Sequence, residues 1–127
     1  MAQFRMDIAL MCKLFIEAPS SLWVSKSRSI RIQKQVTSIK LESYYWTVLE
    51  EIATRDSLTI PLMVNRLYNE SIEAGHDLGN FTSFLRVCAV RYLALQATGD
   101  IPLDTNISIA SLDADKILAT EAKRVNH

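Results

Sequence analysis

The chain has 127 residues, 49% of them hydrophobic, which predicts one domain with a buried core. Its 14 basic and 14 acidic residues cancel overall, but residues 1–40 hold seven basic and two acidic residues, a net charge of +5, and the remainder holds seven and twelve, a net charge of −5. No apolar run reaches the roughly 18 residues of a membrane span. Although the net charge is zero, the positive charge of residues 1–40 is compatible with binding to a nucleic acid.

The N-terminal residues 1–32 are expected to be an extension, for which the sequence allows two forms. Residues 11–17 alternate well enough for a strand, and after a Pro-containing turn residues 22–32 would form the second strand of a β-hairpin. That hairpin would place Lys26 and Arg28 on the same side. Alternatively, this Ser-rich and basic segment is an arm that becomes ordered only on a nucleic acid.

Residues 36–41 form the clearest strand pattern in the chain. Their side chains alternate, so that one face is expected to pack inward and the other to face outward. The inward face comprises Thr37, Ile39 and Leu41, and the outward face comprises Val36, Ser38 and Lys40. Since no Gly-bearing hairpin turn follows to bring back a partner strand, the strand would leave backbone groups unpaired. We therefore predict antiparallel pairing with the same strand of a second copy across a two-fold axis.

Three helices are predicted after this strand. Apolar side chains recur at three- and four-residue spacing, which indicates helix A at residues 42–55. Thr59 is the expected N-cap of helix B, which ends near residue 74. Helix C is expected at residues 82–98, and because it is apolar on more than one side it should be buried on more than one side.

Residues 100–127 are predicted to form a C-terminal tail. An extended segment containing Pro102 leads to Ser111, which is expected to cap a last short helix. Three interpretations of this tail stay open: it docks on a partner subunit, it binds another protein, or it is partly disordered.

Two segments resemble a known family. The segment TSIKLESYYWTVLEEIA resembles the start of the ribbon-helix-helix domain, in a bacterial subfamily with the pattern T-S-I-[RK]-L-E-x-x-[FY]-W. The later segment GNFTSFLRVCAVRYLALQ resembles the extra C-terminal helix of that subfamily. The resemblance implies a mainly α fold with a short β-ribbon, built as an intertwined homodimer. It places the domain with its extra helix at residues 33–99.

The resemblance also implies a DNA-binding site. The ribbon would enter the major groove, and the start of helix B would lie beside a phosphate. The candidate base contacts are the outward side chains Val36, Ser38 and Lys40, of which Lys40 can donate to guanine and Ser38 can serve several bases. The candidate phosphate contacts are Arg28, Arg31, Lys34, Ser57, Thr59 and Ile60. The candidate dimer core comprises Thr37, Ile39, Leu41, Trp46 and Leu49.

Residues for other kinds of chemistry are missing from the sequence. It contains no Gly-rich phosphate loop, no nucleophile beside a base and no set of His or Cys ligands, so we expect no enzyme, no metal and no cofactor. Cys12 and Cys88 lack metal-ligand spacing and, without a secretion signal, are expected as reduced thiols of a cytoplasmic protein.

The sequence therefore predicts a bacterial, sequence-specific DNA-binding protein that acts as a transcriptional repressor. It would bind double-stranded DNA as a homodimer or as a higher oligomer on the DNA, with no membrane partner. Two alternatives stay open. An antitoxin would bind DNA through the ribbon and a toxin through the C-terminal tail. A non-DNA assembly module would use the fold only to dimerise, and its activity would not depend on Lys40.

Overall fold

Helices surround one β-hairpin in the computed structural model, which describes the backbone of residues 2–125 and the side chains of residues 8–125. The elements in chain order are α1 (Ala2–Ile16), a 3-10 turn (Ser20–Trp23), β1 (Ser25–Ile32), β2 (Gln35–Glu42), α2 (Ser43–Arg55), α3 (Ile60–Glu73), α4 (Phe81–Ala97), a second 3-10 turn (Ile109–Ser111) and α5 (Ala114–Val125). The predicted mainly α fold with a short β-ribbon is confirmed, and helices A, B and C correspond to α2, α3 and α4. No helix in the described range is long and apolar enough to cross a membrane. Met1, Asn126 and His127, which belong to the predicted terminal segments, lie outside the described residues.

The β-ribbon is a hairpin within one chain. β1 and β2 pair antiparallel in an unbroken register that ends with Ile32 opposite Gln35. Only Gln33 and Lys34 connect the strands, and both have positive φ angles, 50° and 70°. Two such residues form the tight turn whose twist matches that of the flanking strands. The expectation that β2 lacks a partner strand in its own chain is wrong because β1 supplies one. The intertwined homodimer, in which β2 pairs with β2 of a second copy, stays a prediction.

The alternation of side chains decides which face of the hairpin is buried. The inner face carries four apolar side chains that are at most 7% exposed: Ile30, Ile32, Ile39 and Leu41. They share one core with side chains of α2, α3 and α4, including Trp46, Leu49, Val64 and Leu85. Burying a side chain of this size contributes about 1.5–3 kcal/mol, so the inner face holds the hairpin on the helices.

Side-chain caps set the starts of α3 and α4. Thr59 Oγ1 accepts a hydrogen bond from the backbone N–H of Leu62 at 3.3 Å, which confirms the predicted cap. Asn80 Oδ1 accepts from the backbone N–H of Ser83 at 3.2 Å, so α4 begins at Phe81, slightly earlier than predicted. Each cap satisfies a backbone donor that the helix itself cannot pair.

The N-terminal segment has neither of the two predicted forms. Residues 11–16 belong to α1 and are helical, not a strand. Lys13 Nζ lies 3.0 Å from Glu17 Oε2, an ion pair between residues four apart that helical geometry allows. A short apolar run fits the period of a helix as well as that of a strand, which explains the error. The second predicted strand is present as β1, but its partner is β2.

A segment that follows α4 is tied to the end of α2. We call residues 101–112 the C-terminal strap. Arg55, the last residue of α2, is only 7% exposed. Its guanidinium donates to three backbone carbonyls of the strap at 2.7–3.0 Å: Pro102, Asp104 and Ile107. The rigid fork of a guanidinium can hold several carbonyls at once, so this part of the tail docks on its own chain.

Asp56 and α5 complete the attachment of the tail. The Asp56 carboxylate accepts two backbone N–H groups of the strap at 2.6 and 2.9 Å. α5 then returns to α4, where Arg91 Nη2 lies 2.5 Å from Glu121 Oε1. The predicted cap Ser111 is wrong: Asp113 Oδ1 accepts a backbone N–H from the first turn of α5 at 3.2 Å.

Candidate nucleic-acid interface

The outward side of the hairpin is polar and exposed. Its side chains are Ser25, Ser27, Ser29 and Arg31 from β1 and Val36, Ser38 and Lys40 from β2. We call these seven side chains the outer face. The register places Ser27 opposite Lys40 and Ser29 opposite Ser38. Most of these side chains are small, so the backbone can approach a ligand closely, and a two-stranded ribbon has the width that the DNA major groove admits.

The three candidate base contacts, Val36, Ser38 and Lys40, all lie on the outer face, as the alternation predicts. Their contact with bases stays a prediction. β1 adds Ser27 and Ser29 beside them, which the sequence interpretation did not include. The signal for β1 was present, because Ser25, Ser27 and Ser29 alternate with larger residues before Ile30 and Ile32. The pairing of β1 with β2 was not recognised, since a turn with two positive φ angles usually contains Gly or Asn, and this one contains Gln33 and Lys34.

The turn of the hairpin lies beside the start of α3. Residues of both elements line a shallow pocket of about 490 Å³: Arg31, Gln33, Lys34, Thr59, Pro61, Leu62 and Asn65. The Asn65 side-chain amide connects the two elements, because it donates to the backbone carbonyls of Arg31 and, at 3.0 Å, of Pro61. The pocket thus joins three of the candidate phosphate contacts, Arg31, Lys34 and Thr59, to a helix N-terminus, where the dipole favours an anion.

The other three candidate phosphate contacts are placed differently. Arg28 lies on the inner side of β1, and its Cζ is 5.0 Å from the centroid of the Trp46 ring. Ser57 lies in the loop between α2 and α3 with a positive φ of 60°. Ile60 is only 5% exposed, so its side chain does not reach a ligand at the surface.

The family model of the Ribbon-helix-helix domain matches residues 25–93, from the first residue of β1 into α4. The chain belongs to the ribbon-helix-helix domain family. The solved structure of an uncharacterized protein from Bordetella pertussis Tohama I is similar over 85% of this chain and 86% of that chain, with 45% sequence identity and a TM-score of 0.82. No curated protein matches the chain. Ribbon-helix-helix domains are typically DNA-binding transcription regulators or antitoxins and are a non-enzymatic family.

Four of the five residues expected in a dimer core are buried within a single ribbon-helix-helix chain. Ile39, Leu41, Trp46 and Leu49 are at most 4% exposed. Trp46 is held further by its indole Nε1, which donates to the backbone carbonyl of Lys26 at 2.9 Å. Thr37, the fifth residue, is exposed. The burial of the first four side chains therefore needs no second copy and does not locate a subunit interface.

The arginines of α4 in this ribbon-helix-helix chain are engaged by carboxylates. Arg86 Nη2 lies 3.0 Å from Glu42 Oε1, and a backbone hydrogen bond at Glu42 together with Arg86 holds the pKa of that carboxyl below its usual range. Glu121 likewise raises the pKa of the Arg91 guanidinium by accepting its hydrogen bonds. Both arginines of α4 are therefore paired with carboxylates of their own chain.

Proposed function

We propose that this ribbon-helix-helix protein binds double-stranded DNA through the outer face and acts as a transcriptional repressor. The observation that carries the proposal is the combination of Arg31 and Lys40 with small polar side chains on an exposed two-stranded ribbon. The ribbon ends at a pocket shared with the start of α3. Membership of a DNA-binding family supports DNA as the ligand. The same proposal includes membership of the predicted bacterial subfamily, in which α4 would be the extra C-terminal helix.

Lys40 is the proposed centre of base recognition. Its ammonium group can donate to O6 or N7 of guanine, and the neighbouring Ser38 can donate to or accept from several bases. Val36 can contact a thymine methyl group. Ser27 and Ser29 lie opposite Lys40 and Ser38 in the register, so they extend the same recognition surface onto β1.

Phosphates of the DNA backbone are proposed to bind beside the hairpin turn. Arg31 and Lys34 supply two positive charges there, and the Thr59-capped start of α3 supplies backbone N–H groups. Ser57 and Ile60 belong to the same loop and first turn. Arg28 would contribute only after leaving the Trp46 ring, so its contact should be weaker. Contacts of this kind add affinity that falls as salt is raised.

A single hairpin offers few side chains for base recognition. We therefore propose that a homodimer, or a higher oligomer on the DNA, binds repeated half-sites, because several modest contacts then combine into specific binding.

Fluorescence anisotropy with random-sequence and genomic DNA fragments at increasing salt tests this function. Lys40→Ala should weaken specific binding by about 1–3 kcal/mol while the thermal stability is unchanged. Lys123→Ala is the matched control, because it removes the same charge from an exposed position on α5. Equal losses in both variants would show that Lys40 acts only through net charge. A wild-type protein that binds no DNA at low salt would refute the proposal and favour the assembly module.

The antitoxin alternative rests on family membership and on the exposed side of α5. Arg55 and Asp56 hold the strap on its own chain, but Leu118 is 52% exposed and is available to a partner. A small protein that co-purifies with the wild type and is lost from Leu118→Asp would favour this alternative.

A further inference from the structure

A recess of about 380 Å³ lies between the C-terminal tail and the helical core. Its floor is formed by side chains of α2, α3 and α4 that are at most 6% exposed: Leu49, Met63 and Leu95. Its walls include Ile109 of the strap and Ile117 of α5. We call the space lined by these five side chains the strap recess. Packed protein interiors leave few voids larger than a water molecule, so an opening of this size beside the core is unusual.

The strap recess is concave, and its mouth lies at α5. Among the residues that line it, only Ala114 and Leu118 are exposed, and both belong to α5. A flat protein surface that approached α5 could therefore contact the mouth but not the floor. A small molecule can reach the floor, and the volume lies within the roughly 300–1,000 Å³ of ligand-binding pockets. The shape thus favours a small molecule over a protein partner.

The charged groups and the hydroxyl that line the strap recess already have partners in the chain. The Asp56 carboxylate accepts two N–H groups of the strap, and Arg91 pairs with Glu121. The Tyr92 hydroxyl donates to a carboxylate of α2 at 2.6 Å. Burial raises the pKa of the Cys88 thiol, which therefore stays neutral. The residues that line the recess thus offer a ligand no unpaired charge.

These pairings make the strap recess a poor site for water and for ions. A buried water needs about two to four polar partners, and the leucine and isoleucine side chains supply none. A charged ligand would lose its hydration without gaining an opposite charge. An apolar ligand instead gains contacts with the floor and the walls, and it displaces water that is poorly bound.

We propose that the strap recess binds an uncharged, largely apolar small molecule of aromatic or branched-hydrocarbon type. The molecule contacts the core through Leu49 and Met63 and the tail through Ile109 and Ile117, so its binding should stabilise the docked tail. None of the residues that line the recess belongs to the outer face or to the pocket at the hairpin turn. The binding is therefore independent of the proposed function.

N-phenylnaphthylamine, an uncharged aromatic probe whose fluorescence increases in apolar surroundings, provides the first test. The full chain is titrated into a fixed low concentration of the probe. We expect saturable binding with a dissociation constant of about 10 μM for a ligand of this size. Anilinonaphthalene sulfonate is the matched control compound, because it has the same rings and one added sulfonate. It should bind at least about tenfold more weakly, since its charge has no partner in the recess.

Substitutions on α4 locate the bound probe. Cys88→Phe should raise the dissociation constant of the uncharged probe about tenfold or more, because the added ring fills part of the strap recess. Val90→Phe is the matched control and should leave binding unchanged. It adds the same ring to α4 at a position that is 52% exposed and borders a separate groove beside α1.

Ile117→Glu is a second variant that adds no bulk to α4. It places a charge in the wall of the strap recess, so it should weaken binding of the uncharged probe about tenfold or more. Ile117 lies on α5, so this variant tests the site even where Cys88→Phe does not fold. Far-UV circular dichroism checks that the variants are folded.

Thermal unfolding gives a readout that does not depend on fluorescence. A ligand that binds only the folded chain raises the melting temperature. A saturating concentration of the uncharged probe should therefore raise the melting temperature of the wild type and of Val90→Phe, but not that of Cys88→Phe.

Several outcomes would overturn the proposed site. A wild type without saturable binding up to about 0.1 mM protein would refute it. Equal affinity for the two probes would refute the uncharged class of ligand. Unchanged affinity in folded Cys88→Phe and Ile117→Glu, or a loss in Val90→Phe alone, would place the probe outside the recess. A decrease of fluorescence at high protein concentration would show that a second copy of the chain covers the recess instead.

Discussion

The two faces of the β-hairpin share one backbone but differ in what their side chains contact. Lys40 and Leu41 are neighbours in β2, yet Lys40 is exposed and Leu41 is fully buried. The reason is that successive side chains of a strand point to opposite sides. The inner face therefore contributes to stability and the outer face is available for a ligand, so the two properties can be changed separately by substitutions one position apart.

Leu41→Asp, on the inner face, should have the largest effect, which is a loss of stability. The carboxylate would be buried without a partner, and a cost of more than about 4 kcal/mol would remove most of the stability of a domain this size. Lys40→Asp is the adjacent control and should remain folded, because position 40 faces solvent. Circular dichroism and urea unfolding measure both. A folded Leu41→Asp protein would show that the inner face is not the core.

Arg55→Met tests how much a buried cation contributes to stability. By contrast, the cations of the outer face, Arg31 and Lys40, are exposed and should contribute to DNA binding. The substitution leaves the strap carbonyls of Pro102, Asp104 and Ile107 without their donor, and we expect a loss of roughly 3 kcal/mol. Urea unfolding measures the loss, and limited proteolysis should cut the strap first.

The strap also contributes to the core through Ile101, so truncation after Asp100 should destabilise the domain, not merely shorten its tail. An Arg55→Met protein as stable as the wild type would contradict this account.

Ser29→Asp tests whether β1 shares the outer face with β2. If both strands lie in the major groove, a negative charge on either should weaken DNA binding by about 1–2 kcal/mol, so Ser29→Asp and Ser38→Asp should behave alike. Ser111→Asp adds the same charge at an exposed position of the strap and serves as the control. Loss of binding in Ser38→Asp alone would mean that β1 lies outside the groove. Anisotropy titrations at one fixed salt concentration compare the three variants.

Lys34→Gly should have the smallest effect. It should raise the stability of the fold and lower the affinity for DNA. Gly adopts a positive φ without steric cost, so the substitution should stabilise the fold by about 1 kcal/mol. The loss of a charge at the pocket should weaken DNA binding slightly. Lys34→Ala loses the same charge without relieving the backbone, so thermal unfolding should separate the two variants while DNA binding does not. Equal melting temperatures for both variants would show that the positive φ at position 34 does not cost stability.

Local spacing in the sequence was enough to predict α2, α3 and α4 and the alternation of β2. Thr59 was identifiable because a capping side chain lies next to the helix it caps. α1 was missed because its apolar run fits two periods. The pairing of β1 with β2 was missed because Gln33 and Lys34 are unusual residues for a tight turn. Of the candidate phosphate contacts, the structure brings Arg31, Lys34 and Thr59 to one pocket, an arrangement that spacing along the chain does not reveal.

The sequence by itself determined which residues of β2 face inward, where three helices lie and which family the strand and first helix resemble, because each of these depends on residues close together in the chain. Only the tertiary structure decided that β1 is the partner of β2 and that the strap docks on Arg55. The contact from Arg55 to Ile107 spans 52 positions, and the acceptor is a backbone carbonyl. Every residue carries such a carbonyl, so no side-chain pattern marks the partner, and only the folded arrangement of the chain selects it.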